Sequence, residues 1–138
     1  MKNLDNIIRL HQWRLDEKRQ KVVELERLAT RFREEIKQLE KGLKLEQEVA
    51  ARSAEAVTGY GNYAFAVVAR RDKLEQSLAE LENEMVQAVE DVAAAFREFK
   101  KFDLIRARDR EKAELKKKRA QQRAMDEAGL NLYRRAAN

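Results

Sequence analysis

Proline and cysteine are both absent from this 138-residue chain, and glycine occurs only four times. Without cysteine there can be no disulfide and no thiolate metal site. Aromatic residues make up 7%, too few to fill the closed core of a compact globule of this length, whereas two packed helices need only a narrow apolar seam. The longest purely apolar run, Ala64-Phe65-Ala66-Val67-Val68-Ala69, falls far short of the roughly 20 residues that span a bilayer. The opening Met1-Lys2-Asn3-Leu4-Asp5 lacks the apolar stretch of about 7–15 residues that marks a signal peptide. A soluble cytoplasmic protein with no transmembrane segment is the expectation.

What is abundant is charge, at 40%, together with Ala, Glu, Lys, Leu and Arg, the composition of long helices and coiled coils. The net charge of +5 is unevenly spread: residues 1–105 hold 19 Lys/Arg against 20 Asp/Glu, and residues 106–138 hold 11 against 5. The basic character therefore belongs to the C-terminal quarter, and the rest is a solvated surface of mixed sign.

Apolar residues recur in alternating steps of four and three, the coiled-coil period. In the first half the a positions are Ile8, Leu15, Val22, Ala29, Ile36, Leu43, Ala50 and Val57, all apolar. The d positions Leu4, His11, Lys18, Leu25, Phe32, Leu39, Glu46 and Ser53 are apolar at four of eight places. In the second half d runs through Tyr60, Val67, Leu74, Leu81, Ala88, Ala95 and Phe102, and a through Ala64, Arg71, Leu78, Met85, Val92 and Phe99. Only Arg71 breaks that second stripe.

The mid-chain turn signal is Thr58-Gly59-Tyr60-Gly61-Asn62, since glycine costs a helix interior about 0.8–1 kcal/mol relative to alanine. The fold class expected is all-α, a long antiparallel two-helix coiled-coil hairpin. Residues 1–125 form it, with helix 1 over about 3–56, a turn over about 57–61 and helix 2 over about 62–125. Residues 126–138 are expected as a flexible C-terminal tail, with Ala128-Gly129-Leu130-Asn131 as a helix stop. A turn near residue 60 sets residue 4 opposite residue 115. One alternative satisfies the same seam: a continuous helix that dimerises in parallel, giving a homodimeric structural coiled coil. High effective concentration favours the intramolecular pairing.

No catalytic or cofactor-binding constellation is visible. His11 is the sole histidine and reads as a polar seam residue that sets register. No Ser/His/Asp arrangement, phosphate-cradling loop or dinucleotide fingerprint is present. No metal, no cofactor and no enzymatic activity are expected. Two readings fit Glu46 and Arg71, which lie at similar levels: an ion pair that fixes register, or side chains that reach out to water.

Trp13 falls at an f position, facing away from the seam, with Leu10 at c one turn before it. Leu104 is also at f and lies near the level of Trp13 in the expected hairpin. Arg9, Arg14, Lys18 and Arg19 give this patch a basic rim. An exposed tryptophan on a helix pair that does not need it suggests a protein contact surface. Arg9, Leu10, Trp13, Arg14, Arg19 and Leu104 are the candidate interface residues. Phe65, Val68, Val86, Val89 and Phe96 form a second off-seam set that either widens the helix contact or docks a partner. Tyr60 and Tyr63 read as a cover for the hairpin tip. The run Lys116-Lys117-Lys118-Arg119 has no interleaved aromatics or reading helix, so specific nucleic-acid binding is not expected; a solvated helix end or steering toward an acidic protein suits it better.

The opening Leu4-Asp5-Asn6-Ile7-Ile8-Arg9-Leu10-His11-Gln12-Trp13-Arg14-Leu15-Asp16-Glu17-Lys18-Arg19 resembles the N-terminus of flagellar export proteins of the FliJ family, and Ala94-Ala95-Phe96-Arg97-Glu98-Phe99-Lys100-Lys101-Phe102 is similar to a later stretch of them. The resemblance covers essentially the whole chain. It implies an antiparallel two-helix coiled coil like the central stalk of rotary ATPases. Such a stalk enters the hexameric flagellar export ATPase, promotes ring formation, links the ring to the membrane export gate and helps handle export chaperones. It further implies a cytoplasmic protein, peripheral at the cytoplasmic face of the inner membrane, with Arg9, Trp13, Arg14 and Arg19 at the end that enters the ring.

Overall fold

In the computed structural model, which describes residues 2–137, the chain is two α-helices and one break. Helix α1 spans Lys2–Arg52 and helix α2 spans Ala54–Ala137. Ser53 alone lies between them outside a helix. The helices run antiparallel: Glu35 reaches Arg70, and Arg33 reaches Glu82. A continuous helix cannot bring those pairs together, so the chain is a coiled-coil hairpin.

The seam is where the heptads place it. Among the described residues the nine buried apolar side chains are Ile8, Leu15, Leu25, Ala29, Ala50, Val67, Leu74, Leu81 and Ala88, and each is an a or d residue. Leu25, Ala29, Leu81 and Ala88 form one cluster, against which Val22, Leu28, Phe32, Leu78 and Met85 pack. Small alanines facing large side chains let two backbones approach without voids. Ala29 is fully buried, so nothing larger fits there unstrained.

The turn is not at residues 57–61, which are helical. Gly59 and Gly61 keep negative φ, and a Cβ on either would meet nothing within 4 Å. Neither glycine is required by conformation or by space. The break falls instead at Ser53, a residue type whose hydroxyl suits the N-cap of a helix, and Glu55 places negative charge in the first turn of α2, where the helix dipole favours it. The register shifts accordingly. A turn at residue 60 would set His11 opposite residue 108; His11 stacks on Phe102 instead, about one and a half helical turns away.

The expected stop at residues 128–131 is likewise helical, and α2 continues to Ala137. Gly129 keeps negative φ. One glycine costs about 1 kcal/mol, which flanking Ala, Leu and Arg absorb, and Arg134 and Arg135 sit in the last turn, where the dipole favours cations.

The chain divides into two units, each with stretches of both helices: Met1–Trp13 with Phe96–Asn138, and Arg14–Ala95.

Candidate functional site

In the unit formed by Met1–Trp13 and Phe96–Asn138, the seam turns polar. His11 and Phe102 stack with centroids 4.8 Å apart and planes 16° apart. The ammonium of Lys101 lies 5.5 Å from the Phe102 centroid. One turn on, Arg106 occupies a seam position and is held by acids of both helices: its Nη2 donates to Asp103 Oδ1 at 2.9 Å, and its Nη1 lies 3.5 Å from Asp5 Oδ1. A partly exposed guanidinium between two carboxylates replaces apolar seam contact with charge pairing. Beyond it, Leu4, Asp5, Arg106, Asp109, Arg110 and Ala113 line a notch of about 170 Å³.

The outward face of this unit carries the candidate contact residues. Trp13 is 61% exposed, and Leu10, Leu104 and Arg9 are exposed as well. The heptad assignment of Trp13 to an outward position therefore holds. The register does not bring Leu104 to the level of Trp13: with His11 opposite Phe102, Leu104 is nearer the level of Arg9. The remaining two candidates, Arg14 and Arg19, belong to the other unit and are exposed there. Arg19 lies 3.7 Å from Asp16, one turn earlier on α1, which offsets part of its charge.

In the unit Arg14–Ala95, the cross-helix ion pairs are not the one expected. Glu46 is exposed and forms no ion pair among the described residues, and the carboxylate near Arg71 is its neighbour Asp72, at 3.7 Å. The register shift moves Glu46 off the level of Arg71. Arg71 Nε is buried without a hydrogen-bond partner in the chain. The pairs that do form lie beside the seam. Arg70 Nε and Nη2 both donate to Glu35 Oε1, at 3.2 and 2.9 Å, and Arg33 Nη2 donates to Glu82 Oε1 at 3.2 Å.

Tyr63 does not cover a tip. Its hydroxyl lies 3.1 Å from the position a Cβ on Gly42 would take, so it crosses to α1 where α1 has no side chain. An isolated glycine inside a helical pattern signals such an approach, and Gly42 is the residue that the heptads alone pass over. In the off-seam set, Phe65 (80%), Val86, Val89 and Phe96 are exposed while Val68 is half-buried. The exposed members present an outward apolar surface, while Val68 lies partly covered. Val22, Met85, Val86 and Val89 floor a shallow groove of about 400 Å³ rimmed by Glu26, Glu82 and Glu90.

Among the described residues no three His, Asp or Glu side chains gather as a metal site would require. No described helix is long and apolar enough to cross a membrane. The chain is thus a helical hairpin whose distinctive surfaces are outward patches. The family model described as "Flagellar FliJ protein" matches residues 1–138, the whole chain. The chain belongs to the FliJ family and is a component of flagellar protein export. No curated protein and no solved structure matches it.

Proposed function

We propose that this chain acts as a stalk for the flagellar export ATPase: it docks into the hexameric ring, favours ring assembly, and couples the ring to the membrane export gate and to export chaperones. The observation that carries this reading is the whole-chain family match on a two-helix hairpin with exposed aromatic and basic side chains near its N-terminus. A surface that binds the assembled ring better than separate subunits shifts the equilibrium toward the ring by the difference in affinity. Trp13 supplies buried apolar area to such a contact, and Arg9, Arg14 and Arg19 supply charge. The role is associative, not catalytic, and it places the chain in the cytoplasm, peripheral at the membrane where the gate lies. Gate contacts would fall on outward residues of the shaft.

The test is ATP hydrolysis by the purified cognate ATPase with and without this chain. The wild-type protein stimulates hydrolysis. Trp13→Ala with Arg9→Ala, shown by circular dichroism to keep its helicity, loses most of that stimulation. Full stimulation by the folded double variant defeats the assignment of the contact surface, and no stimulation by the wild type defeats the stalk reading.

A further inference from the structure

Helix α2 carries charge in two opposed blocks. From Leu74 to Phe96 it has six acids and no Lys or Arg. From Arg110 to Ala137 it has nine Lys/Arg against four acids. The acidic block contributes the α2 side of the groove floored by Val22, Met85, Val86 and Val89. Of the three rim glutamates, Glu82 holds Arg33, and neither Glu26 nor Glu90 has an ion pair among the described residues. Val86 and Val89 remain well exposed.

The basic block is a helix that nothing covers. Every residue from 110 to 137 is exposed, and Leu4, near the start of α1, lines the same notch as Ala113. The C-terminal half of the block is nevertheless two-faced. Met125 and Leu132 lie seven residues apart and share one face, which Lys118 and Glu111 continue toward the N-terminal end of the block. Gly129 lies between Met125 and Leu132 on that face, Ala136 follows Leu132, and Tyr133 borders it. Met125, Leu132 and Tyr133 are among the most exposed large apolar side chains of the chain. An amphipathic basic helix and an acid-rimmed apolar groove are complementary in both hydrophobicity and charge.

We propose that the occupant of the groove is the basic C-terminal helix, residues 110–137, of a second copy of this chain. The groove and the helix lie on the one continuous α2, so a chain cannot seat its own extension in its own groove without breaking that helix. Two copies can each donate an extension and each accept one, which makes the contact self-complementary and closes it at a dimer. The proposal goes beyond the stalk reading and does not depend on it. A self-docked pair hides the basic helix until another partner competes for it.

The test uses full-length chains in sedimentation equilibrium from roughly 5 to 500 µM, a range that brackets micromolar association. The wild type dimerises, and the dimer weakens as salt rises, because exposed charge attraction is screened. Glu26→Lys with Glu90→Lys reverses the groove; Lys117→Glu with Lys118→Glu reverses the helix. Each double variant alone dimerises about tenfold or more weakly, a loss of roughly 1.4 kcal/mol. An equimolar mixture of the two recovers association, because each groove then meets a helix of opposite sign. Circular dichroism of each variant reports folding separately, and all four positions are exposed. A wild type that stays monomeric throughout overturns the proposal, even if the basic helix binds anionic vesicles or DNA. So does a dimer that both variants leave intact, or a mixture that recovers nothing. None of these outcomes touches ATPase stimulation, so the two readings fail independently.

Discussion

His11 and Phe102 stack face to face across the two helices, centroids 4.8 Å apart, at the level where the apolar seam gives way to the Arg106 cluster. A histidine in a seam is a weak hydrophobe, and its ring plane is what the position uses. Replacing either partner by alanine should destabilise the hairpin. A double-mutant cycle on urea unfolding should show a coupling of about 0.5–1.5 kcal/mol. Additive losses would mean that the rings are neighbours without interacting.

The glycines give a sharper test of where the chain turns. Gly59 and Gly61 are helical, with open space where a Cβ would go. Gly59→Ala and Gly61→Ala should each stabilise the protein by about 0.5–1 kcal/mol in thermal or urea unfolding. Destabilisation would return the turn to residues 57–61. Gly42→Ala should gain less, because its Cβ would press on the Tyr63 hydroxyl at 3.1 Å, and Gly42→Leu should lose stability outright.

Arg71 is the seam residue with the poorest partnership: its Nε is buried and unbonded within the chain, and its nearby carboxylate is 3.7 Å away on the adjacent residue. Leucine there would continue the apolar stripe between Val67 and Leu74. Arg71→Leu should raise stability by about 1 kcal/mol, the scale on which an unmade buried hydrogen bond is penalised. A loss of stability on that substitution would show that the guanidinium is well satisfied.

The Arg70–Glu35 and Arg33–Glu82 pairs cross between helices but are about half exposed. Screening limits each to roughly 0.2–1 kcal/mol in a double-mutant cycle, falling further at high salt. Their structural information is greater than their energy, since they show that the two helices run antiparallel.

Much of this was legible in the sequence. The heptads identify the two stripes, and the nine buried side chains among the described residues lie on them. The same frame puts Trp13 on the outside. The turn was not legible, because glycine permits a turn without demanding one, and here Gly59 and Gly61 are spent inside a helix. Ser53 looked like an ordinary seam position; only its capping chemistry could have marked it. The misplaced turn carried over into every cross-helix assignment. Glu46 and Arg71 separated, Leu104 left the level of Trp13, and Tyr63 met Gly42 in place of a tip. A heptad frame fixes which face of a helix is buried, but it cannot say which residue lies opposite until the turn is known. The end of α2 was missed for a related reason: Gly129 is a stop signal only where the chain takes positive φ, and it does not.

The account rests on a single chain serving a ring of six. Native mass spectrometry of the cognate ATPase assembled with this protein counts the copies directly. One chain per hexamer is the expected result, with Trp13→Ala plus Arg9→Ala reducing the occupied fraction. A one-to-one ratio of chain to ATPase subunit, or hexamers that form equally well and carry no chain, would contradict it.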